Sequence, residues 1–154
     1  MPSKPGYHVV RLSGPDPQLL ESLDTFHQAL IHGSGTPPEQ FMDFVIRRLG
    51  DETMLLLLGL VGDTPAGYGL AFDVVEHPFM PEWQRSGYIT QFFVTPEYRR
   101  QGVGQMMFDH IVEWLASRGV TEVSLNVAVH NPAGDLFWRK QGFVPHRTRM
   151  KRKT

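Results

Sequence analysis

The chain has 154 residues, of which 41% are hydrophobic, and this predicts a single domain over residues 1–154 with one ordinary core. Its formal net charge of −1 at pH 7 excludes a global attraction to nucleic acid or to a membrane surface. The absence of cysteine excludes disulfides and thiolate chemistry. The chain also has no apolar run long enough for a bilayer or a signal peptide, and together these features favour a cytoplasmic protein.

The chain begins with a predicted strand and a predicted helix. Residues rich in β-branching predict a strand at Tyr7–Leu12. After a turn, Asp16 can cap a helix that has Pro17 in its first position. Apolar residues then recur at helical spacing, and Gly33 ends the predicted helix.

A second helix and a hairpin follow. Thr36 is a predicted cap and Glu39 stands three residues later, which is the pattern of a capping box at a helix start. Two strand-like runs, Thr53–Leu60 and Ala66–Val75, enclose turn residues and therefore predict a β-hairpin. The segment His77–Gly87 is interrupted by prolines and aromatic residues and predicts a surface loop.

The second half of the chain alternates strands with helices. The sequence predicts a strand at Tyr88–Val94, then a helix from about Gly102 to Arg118 that Gly119 closes. Alternating apolar residues predict the next strand at Glu122–Val129.

A short helix and a final strand complete the predicted order. The helix begins at Asn131 and stops at Gly142, and the strand runs from Phe143 to about Met150. The early strands meet through tight turns, whereas helices separate the later ones. This order predicts an α/β fold of the α+β type: a mixed, mostly antiparallel sheet of six to seven strands with one parallel pair, flanked by about four helices.

The stretch RRQGVG lies where a predicted strand passes into a predicted helix. The first N–H groups of a helix have no partner inside it, and the helix dipole adds positive charge there. Gly102 and Gly104 leave the backbone open to a phosphate oxygen, and Arg99 and Arg100 add charge and donors. The turn therefore suits a pyrophosphate. The alternative is a glycine-rich turn with solvated arginines.

Two motifs at this separation resemble the GCN5-related N-acetyltransferase (GNAT) family. The first, ITQFFVTPEYRRQGVGQMM, matches the family at Val94, Pro96, Tyr98, Arg99, Gly102 and Gly104. The second, NPAGDLFWRKQGF, matches it at Asn131, Gly134, Phe137, Trp138, Lys140, Gly142 and Phe143. The resemblance implies a GNAT-like acyl-CoA N-acyltransferase fold in which the parallel pair splays apart around the cosubstrate. It also implies direct attack of a primary amine on the thioester of acetyl-CoA in a ternary complex.

The resemblance also implies which residues bind acetyl-CoA. A backbone N–H near Phe93 would polarise the thioester carbonyl, and Asn131 would cap the last helix and touch the cosubstrate. Phe137 and Trp138 would pack near the sulfur. The full set of implied cosubstrate-binding residues is Phe92, Phe93, Val94, Arg99, Arg100, Gln101, Gly102, Val103, Gly104, Gln105, Asn131, Phe137 and Trp138.

The chain departs from the family pattern at two positions. Many relatives have a tyrosine acid where Trp138 stands, but the indole N–H of tryptophan donates hydrogen bonds without being a useful acid. Many relatives also have a carboxylate near Thr90 or Gln91, where this chain has no base. The candidate catalytic residues are therefore Glu76, His77 and Trp138. Further candidate bases, each alternatively an ordinary solvated residue, are Asp73, Glu82 and His130.

These departures leave two functions open: an N-acetyltransferase, or an acyl-CoA-binding sensor or regulatory module with little turnover. The acceptor of the enzyme would be a small-molecule amine or a peptide amine, and the family tendency allows a homodimer. The sequence predicts no nucleic-acid partner, no membrane partner and no metal, because its histidines lack paired ligand spacing. His110 falls on the apolar side of its predicted helix and is interpreted as a hydrogen-bonded core residue.

Overall fold

A computed structural model of the chain describes residues 6–31, 38–76 and 84–154. The strands are β1 (Tyr7–Arg11), β2 (Met54–Val61), β3 (Thr64–Glu76), β4 (Gln84–Val94) and β5 (Val123–Leu125). The helices are α1 (Pro17–Leu30), α2 (Pro38–Arg48), α3 (Val103–Ser117) and α4 (Pro132–Lys140), with a 3₁₀ turn at Pro96–Tyr98. The predicted helix end at Gly33 and the predicted cap at Thr36 lie outside the described residues.

The described strands form one sheet in the order β1-β2-β3-β4-β5. All neighbouring strands are antiparallel except β4 and β5, which are parallel. A mixed, mostly antiparallel sheet with one parallel pair and four helices is thus confirmed, but six to seven strands is wrong for the described residues, which form five. The predicted strand Phe143–Met150 is absent. Phe143 packs against the core, but Val144 and Met150 are 78% and 88% exposed, so the segment after Phe143 lacks the alternating buried face of a strand.

Two strand boundaries also differ from the prediction. β4 begins at Gln84 instead of Tyr88, because residues 84–87 continue the antiparallel pairing with β3. Gly87 fits there because the side chain of Leu115 occupies the space that a larger residue would need. β5 covers only Val123–Leu125 of the predicted strand Glu122–Val129.

Helices cover both faces of the sheet. α1 and α2 pack on one face, which we call the α1/α2 face, against buried residues such as Leu58, Tyr68 and Phe93. α3 packs on the opposite face against residues such as Leu57 and Ile89. β2 is therefore buried along nearly its whole length, which explains its unbroken apolar sequence MLLLLGLV.

The parallel pair is short, and β4 extends beyond it. Pairing with β5 ends at Ile89, opposite Leu125, while β4 continues to Val94. Thr90 is an extra residue on β4, since Ile89 and Gln91 pair with the adjacent β3 residues Ala71 and Leu70. Such a bulge bends a strand. Residues 90–94 thus form an edge of β4 with no described strand beside it on the β5 side.

Candidate functional site

A sharp turn connects β4 to α3. Arg100 and Gly102 both have positive φ, of 63° and 92°. No atom lies within 4 Å of the position where a β-carbon on Gly102 would stand, so the reason for this glycine is its backbone conformation rather than space. The two left-handed residues turn the chain from the end of β4 into the first turn of α3.

The start of α3 presents unengaged backbone donors. The Met106 N–H donates to the Gly102 carbonyl at 3.0 Å, which is the first helical hydrogen bond, and Gly102 provides no side-chain cap. Among the described residues, no acceptor engages the N–H groups of residues 103–105. The side chain of Arg100 is exposed beside them. Free N–H groups, the helix dipole and a guanidinium together favour an anion at this point.

Arg99 and Gln101 hold the turn in place. The Arg99 Nε–H donates to the Val94 carbonyl at 2.8 Å, and its guanidinium lies 5.6 Å from the Phe93 ring centroid. The Gln101 amide donates to the Glu97 carbonyl at 2.7 Å and accepts a hydrogen bond from the β1 residue Tyr7 at 3.3 Å. These contacts bind the turn to β4 and β1.

Gly104 and Gln105 connect α3 to α4. A β-carbon on Gly104 would lie 3.5 Å from the Phe137 ring and 3.6 Å from the Phe92 ring. These are ordinary van der Waals distances, so the two rings border Gly104 without requiring a glycine there. The Gln105 side chain accepts from the Gln141 amide at 2.6 Å and donates to the Asp109 carboxylate at 2.9 Å.

An aromatic cluster joins β4, α3 and α4. Trp138 lies at its centre, with ring centroids 4.9 Å from Phe92 and 4.8 Å from Phe137. Phe108 and Phe143 lie 5.6 and 5.4 Å from Trp138. All four contacts are edge-on, the geometry that aromatic quadrupoles favour. Trp138 is thus held by packing, and nothing in this arrangement makes its indole an acid.

Asn131 begins α4, as the sequence predicted. Its side-chain oxygen accepts a hydrogen bond from the Gly134 N–H at 3.1 Å, which confirms the helix cap. The residue is exposed. It follows the short segment that leaves β5 after Leu125.

The edge of β4 supplies backbone donors beside the anion site. The Thr95 N–H donates to the β3 carbonyl of Ala66 at 2.8 Å. Because N–H groups alternate sides along a strand, the Phe93 N–H also faces β3, while those of Phe92 and Val94 face the open edge. The Val94 carbonyl, which accepts from Arg99, faces the same open edge. Of the N–H groups near Phe93, those of Phe92 and Val94 are therefore the ones that face the open edge.

Asp73 is not a free base. Its carboxylate is only 5% exposed and pairs with Arg85 and Arg118, the latter at 2.9 Å. Hydrogen bonds from Arg85 hold the pKa of Asp73 below its ordinary value, although burial opposes this shift. This carboxylate links β3, β4 and the end of α3.

The other candidate bases receive little support. Glu76 ends β3, but its side chain is not described, and His77 and Glu82 lie outside the described residues. His130 is exposed in the turn before α4. The prediction that His110 is a core residue is wrong: it is exposed, although its Nδ1 lies 3.0 Å from the Met106 carbonyl, within hydrogen-bond distance.

A buried polar cluster on the α1/α2 face was missed by the sequence analysis. His27 is 1% exposed, and its Nδ1 lies 3.0 Å from the Gln91 side-chain oxygen and 3.2 Å from the Tyr68 hydroxyl. The Tyr68 hydroxyl donates to the same Gln91 oxygen at 2.6 Å. Burial lowers the pKa of His27, against opposing effects of Gln91 and the Asp24 charge, and raises that of Tyr68. The helical spacing from Leu23 to His27 was the available signal, because it places the imidazole on the apolar side of α1.

Two other classes of site were considered within the described residues. No group of three or more His, Cys, Asp or Glu side chains there could hold a metal ion. None of the described helices is both long enough and apolar enough to cross a lipid bilayer.

The sequence matches the profile of the Acetyltransferase (GNAT) family over residues 18–143. A ribosomal protein bS18-alanine N-acetyltransferase of Escherichia coli (strain K12) is 36% identical over 50 residues, or 32% of this chain and 34% of that protein. The protein of the same description from Salmonella typhimurium is 34% identical over 50 residues. The match thus spans about a third of the length of these curated relatives.

Solved structures share the fold over nearly the whole chain. The aminoglycoside N-acetyltransferase AAC(6')-Iy in complex with CoA superposes with a TM-score of 0.81 at 16% identity, covering 99% of this chain and 98% of that one. A GCN5-related N-acetyltransferase from Ralstonia eutropha JMP134 gives a TM-score of 0.76 at 21% identity, covering 96% and 99%. At these identities the likeness concerns the fold alone.

Proposed function

Because the chain belongs to the Acetyltransferase (GNAT) family, we propose that it transfers an acetyl group from acetyl-CoA to a primary amine by direct attack in a ternary complex. The observation that supports this most is the set of N–H groups at residues 103–105, which no described acceptor engages. Together with the exposed Arg100, these donors fit the diphosphate of coenzyme A.

The cosubstrate then follows the open edge of β4. Residues 99–105 bind the diphosphate, mainly through the main chain, since the side chains of Arg99, Gln101 and Gln105 are engaged with the protein. Phe92, Phe93 and Val94 line the pantetheine arm. Asn131, Phe137 and Trp138 bound the same cleft from α4 and pack near the sulfur.

The reaction exchanges one bond to the acetyl carbon for another. The neutral amine nitrogen forms a bond to the carbonyl carbon, the bond from that carbon to sulfur breaks, and coenzyme A leaves as a thiolate. The N–H of Phe92 or Val94 stabilises the negative charge that develops on the carbonyl oxygen. Glu76 or His77 accepts the proton that the amine nitrogen loses and passes it to water. The thiolate takes a proton from solvent. Trp138 contributes packing and at most a hydrogen bond to the sulfur.

We place the amine on the α1/α2 face, opposite the aromatic cluster. The Escherichia coli relative is named for the alanine of a ribosomal protein, and the neighbour AAC(6')-Iy for aminoglycosides. We therefore propose a small-molecule or peptide amine as the acceptor.

The proposal is tested by incubating the protein with acetyl-CoA and a panel of amines. The panel comprises a peptide with N-terminal alanine, alaninamide, a polyamine and an aminoglycoside, and both thiol release and the mass of the amine are measured. We expect at least one amine to gain an acetyl group in step with thiol release. Failure to bind acetyl-CoA at high micromolar concentration would refute the proposal.

One observation favours a second function, an acyl-CoA-binding sensor. Two of the groups considered for proton transfer are held by the protein, since Trp138 lies inside an aromatic cluster and Asp73 is bound by two arginines. This alternative predicts acetyl-CoA binding with no thiol release for any amine in the panel. We favour the enzyme, because a thioester and a positioned neutral amine can react without a strong acid.

A further inference from the structure

We infer that Gln91, fixed by His27 and Tyr68, recognises a hydrogen-bond-accepting oxygen beside the acceptor amine. The preferred acceptors are then amines adjacent to a carbonyl, such as the α-amine of a peptide or an amino-acid amide. This inference rests on the proposed acetyltransferase function and concerns the substrate class of the same site.

The position of Gln91 places it at the point where β4 separates from β5. Ile89 is the last β4 residue that pairs with β5, Thr90 is the bulge residue, and Gln91 comes next. Its side chain lies on the α1/α2 face, since it contacts His27 of α1, and it is partly exposed. The next residue, Phe92, directs its N–H to the open edge of β4. Gln91 thus lies beside the cleft in which the thioester is proposed to bind.

The hydrogen bonds of Gln91 fix which end of its amide is available. The Tyr68 hydroxyl donates to the side-chain oxygen of Gln91 at 2.6 Å, so the carbonyl end of the amide faces Tyr68. The His27 Nδ1, at 3.0 Å, then donates to the same oxygen. These two donors fill both lone pairs of that oxygen. The amide nitrogen has no partner among the described residues and is not buried, so its two N–H groups are available to a ligand.

The buried histidine supports this role for Gln91. With Nδ1 protonated, Nε2 is a lone-pair acceptor, and it is buried without a hydrogen-bond partner among the described residues. An unpartnered buried polar atom is destabilising, and an apolar side chain stacked on Phe41 would avoid it. Unlike an apolar side chain, the imidazole has an Nδ1–H that donates to Gln91 and orients it. His27 is therefore a positioning residue.

The surroundings of Gln91 favour a neutral partner for its N–H groups. On the α1/α2 face it is paired across the sheet with Leu70, and the next pair along the face is Phe72 with Tyr88. Asp73 of β3 points to the other face, where Arg118 at the end of α3 binds it, so it does not reach Gln91. The N–H donors of Gln91 require an acceptor. A carbonyl oxygen is the complementary group.

The experiment compares two acceptors of similar size, alaninamide and isopropylamine, with the 154-residue protein. The measured quantity is the ratio of kcat/KM for alaninamide to that for isopropylamine. Gln91→Glu keeps an oxygen for Tyr68 and His27 but loses the exposed N–H donors, and we expect it to lower the ratio about tenfold. Gln91→Met also lacks a donor and adds no charge, so comparing its ratio with that of the wild type cancels the different basicity of the two amines. We expect a similar fall in the ratio for Gln91→Met, which shows that the lost donor and not the added carboxylate is responsible.

A matched pair at position 27 separates positioning from simple packing. The side-chain amide of asparagine can place an N–H where Nδ1 stands, whereas leucine cannot. We expect His27→Asn to retain the ratio and His27→Leu to lower it about fivefold, mainly through KM for alaninamide. A purely structural role for His27 predicts instead that both variants behave alike.

The outcomes distinguish this inference from the function on which it rests. If the wild-type protein acetylates neither amine and no amine in the wider panel, the acetyltransferase function fails and the inference fails with it. If both amines are acetylated and the ratio is unchanged in a folded Gln91→Glu or Gln91→Met variant, the inference alone is overturned.

Discussion

The ring of Phe137 lies against Gly104, with two ring carbons 3.5 Å from the position that a β-carbon on residue 104 would take. That distance is an ordinary van der Waals contact, so alanine fits there. Gly102, two residues earlier, has open space around it but a φ of 92°. One glycine is required by backbone conformation, and the other borders an aromatic contact that tolerates a methyl group.

This difference predicts that alanine at position 102 weakens acetyl-CoA binding strongly, whereas alanine at position 104 changes it little. Gly102→Ala places a β-carbon on a left-handed residue, which costs about 1–2 kcal/mol and turns the following N–H groups away from the diphosphate. We expect the Kd for acetyl-CoA, measured by isothermal titration calorimetry, to rise at least about tenfold. Gly104→Ala keeps the helical backbone and directs its methyl group toward Phe137, so its Kd should change less than about threefold. Equal losses in both variants would contradict this description of the turn.

The cap of α4 predicts a coupled loss of stability and binding. Asn131→Ala removes the side-chain acceptor of the Gly134 N–H and should lower the free energy of unfolding by about 1 kcal/mol. It should also weaken acetyl-CoA binding, because we place Asn131 at the cleft. Asp16→Ala is the matched control, since Asp16 caps α1 through the N–H groups of Gln18 and Leu19. Urea denaturation should show a similar destabilisation for both variants. If the two variants bind acetyl-CoA equally well, Asn131 does not contact the cosubstrate.

The Asp73 carboxylate should contribute to stability in a pH-dependent way. Asp73→Asn removes the partner of Arg85 and Arg118 and should lower the free energy of unfolding by about 2 kcal/mol near pH 7. Because the folded-state pKa of Asp73 is lowered, its contribution is present above the ordinary value of about 4 and is lost as the pH falls through the folded-state pKa. In urea denaturation from pH 7 to pH 3, the difference in unfolding free energy between the two proteins should therefore stay constant down to about pH 4 and then narrow. A difference that stays constant with pH would show that the ion pairs are not responsible.

His27 should also make stability fall on acidification, but over a higher pH range than Asp73. Burial lowers its pKa in the folded state, so as the pH falls below about 6.5 the unfolded chain takes up this proton more readily. The free energy of unfolding should then decrease between pH 7.5 and pH 5 more steeply in the wild type than in His27→Asn. The remaining histidines titrate in both proteins and cancel in the comparison. Parallel pH profiles would mean that His27 is not held neutral.

Local signals in the sequence predicted much of the fold. Asp16 and Pro17 located the start of α1, and the glycine turn located the start of α3 within one residue. These features depend on residues a few positions apart, so a single sequence contains them. The length of β5 and the missing strand at residues 143–150 depend on which strands are available as partners, and local patterns do not specify this.

The sequence likewise predicted the parts of the candidate site that depend on neighbouring residues, but not those that depend on residues far apart along the chain. The turn at Gly102 and the cap at Asn131 are short-range features and were found. The contact between His27 and Gln91 joins residues 64 positions apart, and that between Asp73 and Arg118 joins residues 45 positions apart. Helical spacing could have placed His27 on the apolar side of α1, but it could not have identified the partners of this residue. Asp73 was interpreted as a possible base because its two arginines are distant along the chain.

The central claim is that the N–H groups of residues 103–105 bind the diphosphate of coenzyme A. Amide ¹H–¹⁵N NMR spectra of the labelled protein, titrated with coenzyme A and separately with pantetheine, test it directly. We predict large shifts of the Val103, Gly104 and Gln105 resonances with coenzyme A and no comparable shifts with pantetheine, which lacks the diphosphate. Saturation with coenzyme A that leaves these three resonances unmoved would contradict the claim.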